Sequence, residues 1–299
     1  MISAQSLSKN FDSVQALSKL NLKIKEGQVF GLIGSNGSGK STLLRIIAGV
    51  YKQDSGKMLI DDQPAYDNPA LKHKVFFLSD TAFFLNGSTL MEMALFYEQI
   101  YPDFSMERFY EMNKIFPINP AVAIGKMSKG MQRQAALILA FSARPKYLLL
   151  DEAFDGLDPV MRESLKRIIA KDVSSRNMTV IISSHNLREL EDMCDCMGLL
   201  HNGKIVYTDS IDSMKNYMHK IQVGFSTPKT KEDFDLKDII HFDSIGSVIS
   251  IVVKGDLSEI SEKIKAMNPL FIDVLTPTLE QLFIYELGGL GYDVAEITE

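Results

Sequence analysis

The sequence predicts an α/β fold with a mixed, mostly parallel sheet, and three observations lead to this prediction. Short apolar runs such as Val75–Leu78 alternate with helical segments, as in proteins with a parallel sheet. A glycine-rich loop at residues 34–42 joins one such strand to a helix. The chain also opens with alternating strands of antiparallel character, and residues 88–143 show helical patterns alone.

The opening of the chain is expected to form strands around the glycine-rich loop. Residues 20–25 alternate apolar and polar side chains, which is typical of a half-buried strand, whereas residues 29–33 are apolar throughout. A helix is expected at residues 40–48, because its apolar residues recur at helical spacing. Phe11 is expected in a polar loop between the first strands. The strands expected before residue 80 are 2–7, 20–25, 29–33, 57–60 and 75–78.

The insert at residues 88–143 is expected to contain helices only. Ser88 or Thr89 is a candidate N-cap, with Glu92 near the first helical turn. Prolines interrupt the helical pattern and separate one helix from the next. The helices expected in the insert are 90–101, 105–116 and 132–143.

After the insert, strands and helices alternate again, which extends the predicted parallel sheet. Asn202 and Gly203 predict the type I′ turn of a hairpin across residues 199–206. The strands expected here are 147–150 and 179–183, and the helices are 159–172 and 187–193.

From about residue 220 the pattern changes and predicts a small α+β appendage. We therefore divide the chain into a first domain at 1–219, with the helical insert inside it, and an accessory domain at 220–299. A dimer contact, a regulatory module and a stabilising appendage all stay open for the accessory domain. Its expected strands are 221–225, 247–253 and 270–274, and its expected helices are 232–238, 257–267 and 279–287.

Composition argues against several classes of protein. The 299 residues carry a net charge of −6 and no Lys/Arg-rich run, so we expect no nucleic-acid partner. Cys194 and Cys196 have no further Cys or His at ligand spacing, so we interpret them as reduced thiols and not as a zinc site. We recognise no signal peptide and no membrane span, so another chain is expected to supply any membrane part.

The glycine-rich loop has the form G-x-x-x-x-G-K-[ST], which is the phosphate-binding loop. Its glycines allow successive backbone N–H groups to turn towards a phosphate, and the following helix adds its N-terminal dipole. Lys40 is expected to reach the β- and γ-phosphates, and the Ser41 hydroxyl is expected to bind Mg²⁺. The candidate binding residues of the loop are Gly34, Ser35, Asn36, Gly37, Ser38, Gly39, Lys40, Ser41 and Thr42.

Two carboxylates, Asp151 and Glu152, follow the apolar run 147–150. Because the carboxyl ends of parallel strands lie at the ligand crevice, Asp151 is expected to bind Mg²⁺ through water beside Ser41. Glu152 points elsewhere and is a candidate to accept a proton from an attacking water. His185 also follows an apolar strand and is a candidate contact for the γ-phosphate.

A second candidate anion site precedes the third helix of the insert. Ser128 and Gly130 lie where a helix N-terminus is expected, and such a terminus attracts a phosphate. One nucleotide does not need two such sites from one subunit. Two subunits arranged head to tail would use both sites.

Together these motifs resemble the ATP-binding subunit of an ABC transporter, a P-loop NTPase of ABC type. The loop at 34–42 resembles the Walker A motif of that family. Asp151 resembles its Walker B aspartate and Glu152 its catalytic glutamate. Ser128 and Gly130 match the ABC signature, which in the family contacts the nucleotide of the facing subunit.

Further residues match the family in the expected order. Asp158 resembles the D-loop aspartate, and His185 the switch histidine. Phe11 stands where the family places an aromatic residue that stacks on adenine. The ordered match covers residues 2–208, and the tail around 277–283 is similar to the ends of exporter-type bacterial ATPases.

The sequence departs from the family pattern at two places. Asp80 stands where the family's Q-loop has Gln, and its shorter carboxylate is expected to hold a metal-bound water. The signature at 127–131 is Met-Ser-Lys-Gly-Met and not Leu-Ser-Gly-Gly-Gln, so Lys129 replaces the first glycine. Because Glu152 and His185 are both present, we expect an active hydrolase.

The resemblance implies two copies, or one copy and a related subunit, that enclose two MgATP. The residues implied to hold each nucleotide are Lys40, Ser41, Asp151 and His185 of one chain and Ser128, Lys129 and Gly130 of the other. Closure would complete the site and let Glu152 activate water. Hydrolysis is then implied to drive a separate transmembrane subunit. That subunit is expected to dock near Asp80 at the cytoplasmic face of the membrane and to work in export.

Two other functions stay open at this point. A soluble ABC-type ATPase that acts on ribosomes or DNA would be expected to have tandem ATPase domains or a long coiled-coil insert, and this sequence shows neither. A non-hydrolysing nucleotide sensor is the second alternative, because Asp80 replaces the Q-loop glutamine.

Overall fold

The computed structural model describes residues 1–289, and the chain divides into two compact units between Thr208 and Asp209. Each unit contains its own hydrophobic core. The predicted boundary after residue 219 lies inside the second unit, and the division into 1–219 and 220–299 stays a prediction. No helix within residues 1–289 has both the length and the apolar character needed to cross a membrane.

The first unit has the predicted strands and helices in the predicted order, together with a short strand at Gln63–Pro64 and a short helix at Pro69–Lys72 that were not expected from the sequence. Its strands are β1 (Ile2–Phe11), β2 (Val14–Ile24), β3 (Val29–Ile33), β4 (Ser55–Ile60), β5 (Gln63–Pro64), β6 (Val75–Leu78), β7 (Tyr147–Asp151), β8 (Thr179–Ser184), β9 (Cys196–His201) and β10 (Lys204–Ser210). Its helices are α1 (Lys40–Ile47), α2 (Pro69–Lys72), α3 (Leu90–Ile100), α4 (Met106–Ile115), α5 (Lys129–Ser142), α6 (Pro159–Arg176) and α7 (Leu187–Leu190).

These strands form two sheets, which confirms the predicted mixed architecture. An antiparallel sheet has the strand order β2-β1-β4-β5, and a six-stranded sheet has the order β10-β9-β3-β8-β7-β6. In the six-stranded sheet β3 pairs in parallel with β8 and β9, and β7 pairs in parallel with β6 and β8. The loops that follow β3, β7 and β8 therefore leave the sheet at the same edge.

The helical insert consists of α3, α4 and α5, as predicted. Thr89 and Glu92 form a reciprocal capping box at the start of α3. Ser105 caps α4 and Ser128 caps α5. Because Ser128 supplies this cap, α5 begins at Lys129, earlier than the predicted start at residue 132.

Small differences from the predicted elements have local causes. Phe11 does not lie in a loop: it is the last residue of β1 and pairs with Val14 across a tight turn. Helix α7 ends at Leu190, whose carbonyl oxygen accepts hydrogen bonds from two following N–H groups and closes the last turn. Asn202 and Gly203 have φ values of 45° and 72°, which confirms the predicted type I′ turn.

The second unit contains an antiparallel sheet with the strand order β12-β13-β11-β14. Apolar residues of β11 and β13 form its core with α9. In chain order its elements are α8 (Ile211–Tyr217), β11 (Met218–Gly224), β12 (Ile239–Ile245), β13 (Val248–Lys254), α9 (Leu257–Ala266), β14 (Phe271–Leu275) and α10 (Leu279–Gly289).

Three elements of the second unit differ from the predictions. The predicted helix at 232–238 is wrong, because only a short 3-10 turn, Lys231–Asp233, forms there. Strand β12 follows it, and neither β12 nor α8 was expected from the sequence. Strand β12 lies at a sheet edge with much of its surface exposed, so its apolar pattern is weak, and its pairing with β13 decides its structure.

Candidate functional site

Helix α1 begins without a side-chain cap at the end of the phosphate-binding loop. Its N-cap is Gly39, with a φ of 110°, and its first turn contains no acidic residue. A Cβ at Gly39 would lie 2.6 Å from the carbonyl oxygen of Ala16, so a larger residue does not fit. Since no side chain satisfies the first N–H groups of α1, these groups and the helix dipole are available to an anion.

The side chain of Lys40 is folded over this loop and is only 6% exposed. Its Nζ donates hydrogen bonds to the carbonyl oxygens of Gly34 and Ser35, at 2.6 and 3.2 Å. The same Nζ lies 3.5 Å from Oε1 of Glu152. A buried ammonium at the N-terminus of a helix without a side-chain cap is a point charge that attracts a phosphate strongly.

The Asp151 carboxylate is fully buried at the end of β7. Its Oδ1 accepts a hydrogen bond of 2.6 Å from the Ser183 hydroxyl on the neighbouring strand β8. Its Oδ2 has no hydrogen-bond partner among the described residues. Leaving a buried carboxylate oxygen unpaired is costly, and a hydrated cation would satisfy it. Asp151 and the Ser41 hydroxyl are oxygen donors of the kind that Mg²⁺ prefers, so this pair fits the predicted metal.

Glu152 points away from Asp151, towards the phosphate-binding loop. Its backbone has a φ of 49°, in the left-handed region that side chains rarely adopt. Its Oε2 lies 3.1 Å from Nδ1 of His185, in addition to the contact between its Oε1 and Lys40. The structure therefore brings together Lys40, Glu152 and His185, which are far apart in the chain. A carboxylate in this position can accept a proton from a water beside a bound phosphate.

The signature residues lie in a second group of side chains. The Ser128 hydroxyl accepts a hydrogen bond of 3.3 Å from the Met131 N–H at the start of α5. Beside it is a cavity of about 390 Å³. Residues that line this cavity are Asp80, Lys129, Gly130, Arg133, Asp155 and Gly156. Asp80 is therefore placed with the signature segment, and its own Oδ1 accepts a hydrogen bond from the Thr81 N–H.

Two other predicted site residues lie at the surface. Phe11 is 40% exposed, and its ring packs edge-on against Tyr51 with centroids 5.4 Å apart. The ammonium of Lys9 lies 5.3 Å from the Phe11 centroid. Asp158 is the N-cap of α6 and accepts a hydrogen bond of 2.9 Å from the Met161 N–H. The nucleotide contacts expected for Phe11 and Asp158 stay predictions.

Comparison with known proteins agrees with this geometry. The family model described as ABC transporter matches residues 17–155. The ABC transporter ATP-binding protein YtrB of Bacillus subtilis is 30% identical over 293 residues, which cover 97% of this chain and 99% of that protein. The chain belongs to the ABC transporter family. This membership confirms the prediction that this ABC ATPase is the ATP-binding and ATP-hydrolysing subunit of a transporter.

Other relatives of this ABC ATPase extend the comparison. The bacitracin transport ATP-binding protein BcrA of Bacillus licheniformis is 27% identical over 300 residues, covering 97% of this chain and 98% of that protein. Among solved structures, the dimeric cassette MJ0796 bound to ADP and Pi matches with a TM-score of 0.64. At 23% identity it covers 71% of this chain and 99% of its own, and it confirms the fold.

Three polar residues of the site were not expected from the sequence. Ser183 is the hydrogen-bond donor to Asp151 on the neighbouring strand. Asp155 lies beside Glu152 and His185, and a ligand atom from each of these three residues lies within 4.8 Å of the other two. Arg133 is buried between the ends of β6 and β7. Ser183 lies two residues before His185 in the same segment at the end of a strand, so the sequence pattern could have identified it. In the sequence, Arg133 cannot be distinguished from an ordinary surface residue of a helix.

Proposed function

We propose that this ABC ATPase binds MgATP between two cassettes arranged head to tail and uses its hydrolysis to drive a separate membrane-spanning subunit in export. The observation that carries this proposal is the cluster of Lys40, Glu152 and His185 beside the uncapped start of α1. This cluster combines a cation that can bind a phosphate with a carboxylate that can accept a proton from water. Such a pairing supports hydrolysis over nucleotide sensing alone.

Within one chain, the phosphates would lie against the N–H groups of α1 and the ammonium of Lys40. Ser41 and Asp151 would hold the Mg²⁺, which supplies neutralising charge to the phosphate oxygens. Asp151 is already oriented by the Ser183 hydroxyl, so its unpaired oxygen is directed without further rearrangement. The exposed ring of Phe11 is the proposed platform for the adenine.

The chemical step is a displacement at the γ-phosphorus by water. Glu152 accepts the proton of the attacking water as the new bond from oxygen to phosphorus forms. The bond between the γ-phosphorus and the bridging oxygen breaks, and ADP and inorganic phosphate leave. His185, 3.1 Å from Oε2, would hold the Glu152 carboxylate and contact the γ-phosphate.

The second cassette is proposed to contribute Ser128, Lys129 and Gly130. Ser128 and Lys129 are exposed, which suits contact with another chain. A Cβ at Gly130 would lie 3.3 Å from the Gly156 carbonyl oxygen, so the signature segment lies close to the loop before Asp158. The dimeric state of MJ0796, which shares this fold, supports such an arrangement.

The membrane subunit is proposed to dock beside the helical insert, near Asp80. Phe83 and Leu85 follow Asp80 and are 72% and 42% exposed, so they form an apolar surface for a partner. Nearby, a cavity of about 560 Å³ is lined by Val50 in the loop after α1, by Phe77 of β6 and by Tyr101 of the insert. The transport function in the name of BcrA, a relative that matches 97% of this chain, supports a role in transport. The proposed location is the cytoplasmic face of the membrane.

Replacing Glu152 with Gln tests the proposal. Glu152→Gln is expected to bind ATP as tightly as the wild type and to hydrolyse it about 100- to 1000-fold more slowly, because its proton acceptor is lost. With MgATP it should accumulate as a closed dimer, measured by sedimentation velocity. Glu163→Gln is the matched control, since Glu163 is exposed on α6 and forms an ion pair with the exposed Arg167. Wild-type turnover in Glu152→Gln would show that the assigned base is wrong.

A further inference from the structure

Arg133 is a buried charge near the start of α5, just before an apolar stretch. It is 8% exposed, and the residues from Ala135 to Phe141 that follow are buried and apolar. Removing a guanidinium from water is costly unless hydrogen bonds satisfy it. Both terminal nitrogens are used: Nη1 donates to the Ser79 carbonyl oxygen at 2.9 Å, and Nη2 donates to the Glu152 carbonyl oxygen at 3.0 Å.

The carbonyl groups of Ser79 and Glu152 follow the carboxyl ends of two neighbouring strands. Leu78, the last residue of β6, pairs with Leu150 of β7. Ser79 follows β6 and precedes Asp80, and Glu152 follows the last residue of β7. The guanidinium is planar and its donors are fixed, so it connects the carboxyl ends of the two strands in a single orientation.

The contact at Glu152 acts on a strained residue. With φ at 49°, the backbone of Glu152 needs support from both flanking peptide groups. Its N–H donates to the carbonyl and hydroxyl oxygens of Ser183, each at 3.2 Å. Its carbonyl oxygen accepts from Arg133 at 3.0 Å and from the Asp155 N–H at 3.2 Å, so Arg133 is the side chain that holds this carbonyl. The direction of the Glu152 side chain, towards Lys40 and His185, depends on this backbone.

The burial of Arg133 is not explained by an ion pair. No salt bridge among the described residues joins it to a carboxylate within 4.0 Å, although burial lowers its pKa and the nearby carboxylates of Asp155 and Asp80 oppose that change. An apolar side chain of similar volume would fill the same space without the cost of burying a charge. The hydrogen bonds of the guanidinium to the described residues go to the two carbonyl oxygens, while the surrounding carboxylates add attraction at longer range.

We infer that Arg133 is a positioning residue, which holds the Glu152 carboxylate in its working direction and links it to the segment at Ser79 and Asp80. This inference rests on the proposed function of Glu152 as the base. Asp80 lies where the membrane subunit is proposed to dock. A shift of the Ser79 carbonyl on docking would move the guanidinium and, through it, the backbone of Glu152.

The test compares Arg133→Met and Arg133→Lys in the full chain with MgATP. Arg133→Met is expected to lower kcat about 10- to 100-fold, because misplacing a catalytic group by about 1 Å has an effect of that size. The KM and the affinity for ATP should change by less than about 2-fold, because Arg133 does not touch the phosphate-binding loop. Arg133→Lys keeps the charge but not the two-donor fork and should recover part of the rate. Arg167→Met, at an exposed arginine of α6, is the control.

A double-variant cycle separates positioning from a general loss of structure. If Arg133 acts through Glu152, adding Arg133→Met to Glu152→Gln should lower the residual single-turnover rate no further. The inference is overturned if the rate losses of Arg133→Met and Glu152→Gln multiply in the double variant, or if Arg133→Met raises KM with kcat unchanged. A wild-type kcat in Arg133→Lys would also overturn it, and this variant gives the answer if Arg133→Met fails to fold. An inactive wild type would instead contradict the proposed function itself.

Discussion

Helices α1 and α5 both begin at segments that match nucleotide-binding motifs of the ABC family, yet their N-termini differ. Helix α1 follows Gly39, has no side-chain cap, and holds the buried Lys40 as its first residue. Helix α5 follows Ser128, whose hydroxyl accepts a hydrogen bond from the Met131 N–H, and its first residue, Lys129, is exposed. The N-terminus of α1 is therefore open, in the sense that no side chain bonds its N–H groups. The N-terminus of α5 is partly closed by the Ser128 side chain.

This difference indicates that the two helices do different work. At α1, uncapped N–H groups and a buried ammonium from a single chain would hold the phosphates under the proposed function. At α5, part of the N-terminal hydrogen bonding is used within the helix, so this terminus can only add to a site formed elsewhere. That is the behaviour expected of the half-site that a second cassette contributes, and three substitutions at helix N-termini can test it.

The largest effect is expected from Lys40→Ala, which removes the ammonium from the open terminus. Affinity for ATP should fall about 10- to 100-fold, because a hydrogen bond to a charged group is lost, and turnover should fall further. Titration with a fluorescent ATP analogue measures the first effect and phosphate release the second. Lys171→Ala, at an exposed lysine of α6, is the control. Unchanged affinity would mean that α1 is not the nucleotide site.

A smaller and more selective effect is expected from Ser128→Asp. Aspartate caps a helix about as well as serine does, so α5 should remain folded. The added negative charge would repel the phosphate of the facing cassette. Binding of ATP to the single chain should therefore change by less than about 2-fold, while hydrolysis falls about 10- to 100-fold. The ATP-driven dimer should also be lost.

The matched control is Ser105→Asp, the same change at the N-cap of α4. It should leave both ATP binding and dimer formation unchanged, because α4 contains no signature residue. A Ser128→Asp chain that dimerises with ATP as the wild type does would remove the distinction between α1 and α5.

The sequence predicts the α1 terminus better than the contacts that position the catalytic carboxylate. The loop at 34–42 is contiguous, so its motif, its strand and its helix are all visible in one stretch of residues. Arg133 reaches a carbonyl group 54 residues away, and Ser183 meets Asp151 only because two strands pair. Contacts between distant residues leave no local pattern. The same holds for β12, whose pairing with β13 overrides its own weak pattern.

The smallest effect is expected at α3, whose N-terminus carries the reciprocal capping box of Thr89 and Glu92. Hydrogen bonds from the Thr89 backbone N–H and hydroxyl lower the pKa of Glu92 from its ordinary value of 4.5. A carboxylate with a lowered pKa stabilises the fold above pH 4.5, and this contribution is lost as pH falls through its folded-state pKa.

Glu92→Gln should therefore lower Tm slightly near neutral pH, because Gln keeps an acceptor but loses the charge beside the helix dipole. The difference from the wild type should shrink as the pH falls below 4.5 and through the lowered pKa of Glu92, because both side chains are then neutral. Thermal melts across this range measure the effect, with Glu98→Gln on the same helix as the control. ATP affinity should not change, because the capping box already uses N–H groups of this terminus and α3 carries no nucleotide-binding motif. A Glu92→Gln chain with weaker ATP binding would contradict the assignment of nucleotide binding to open termini alone.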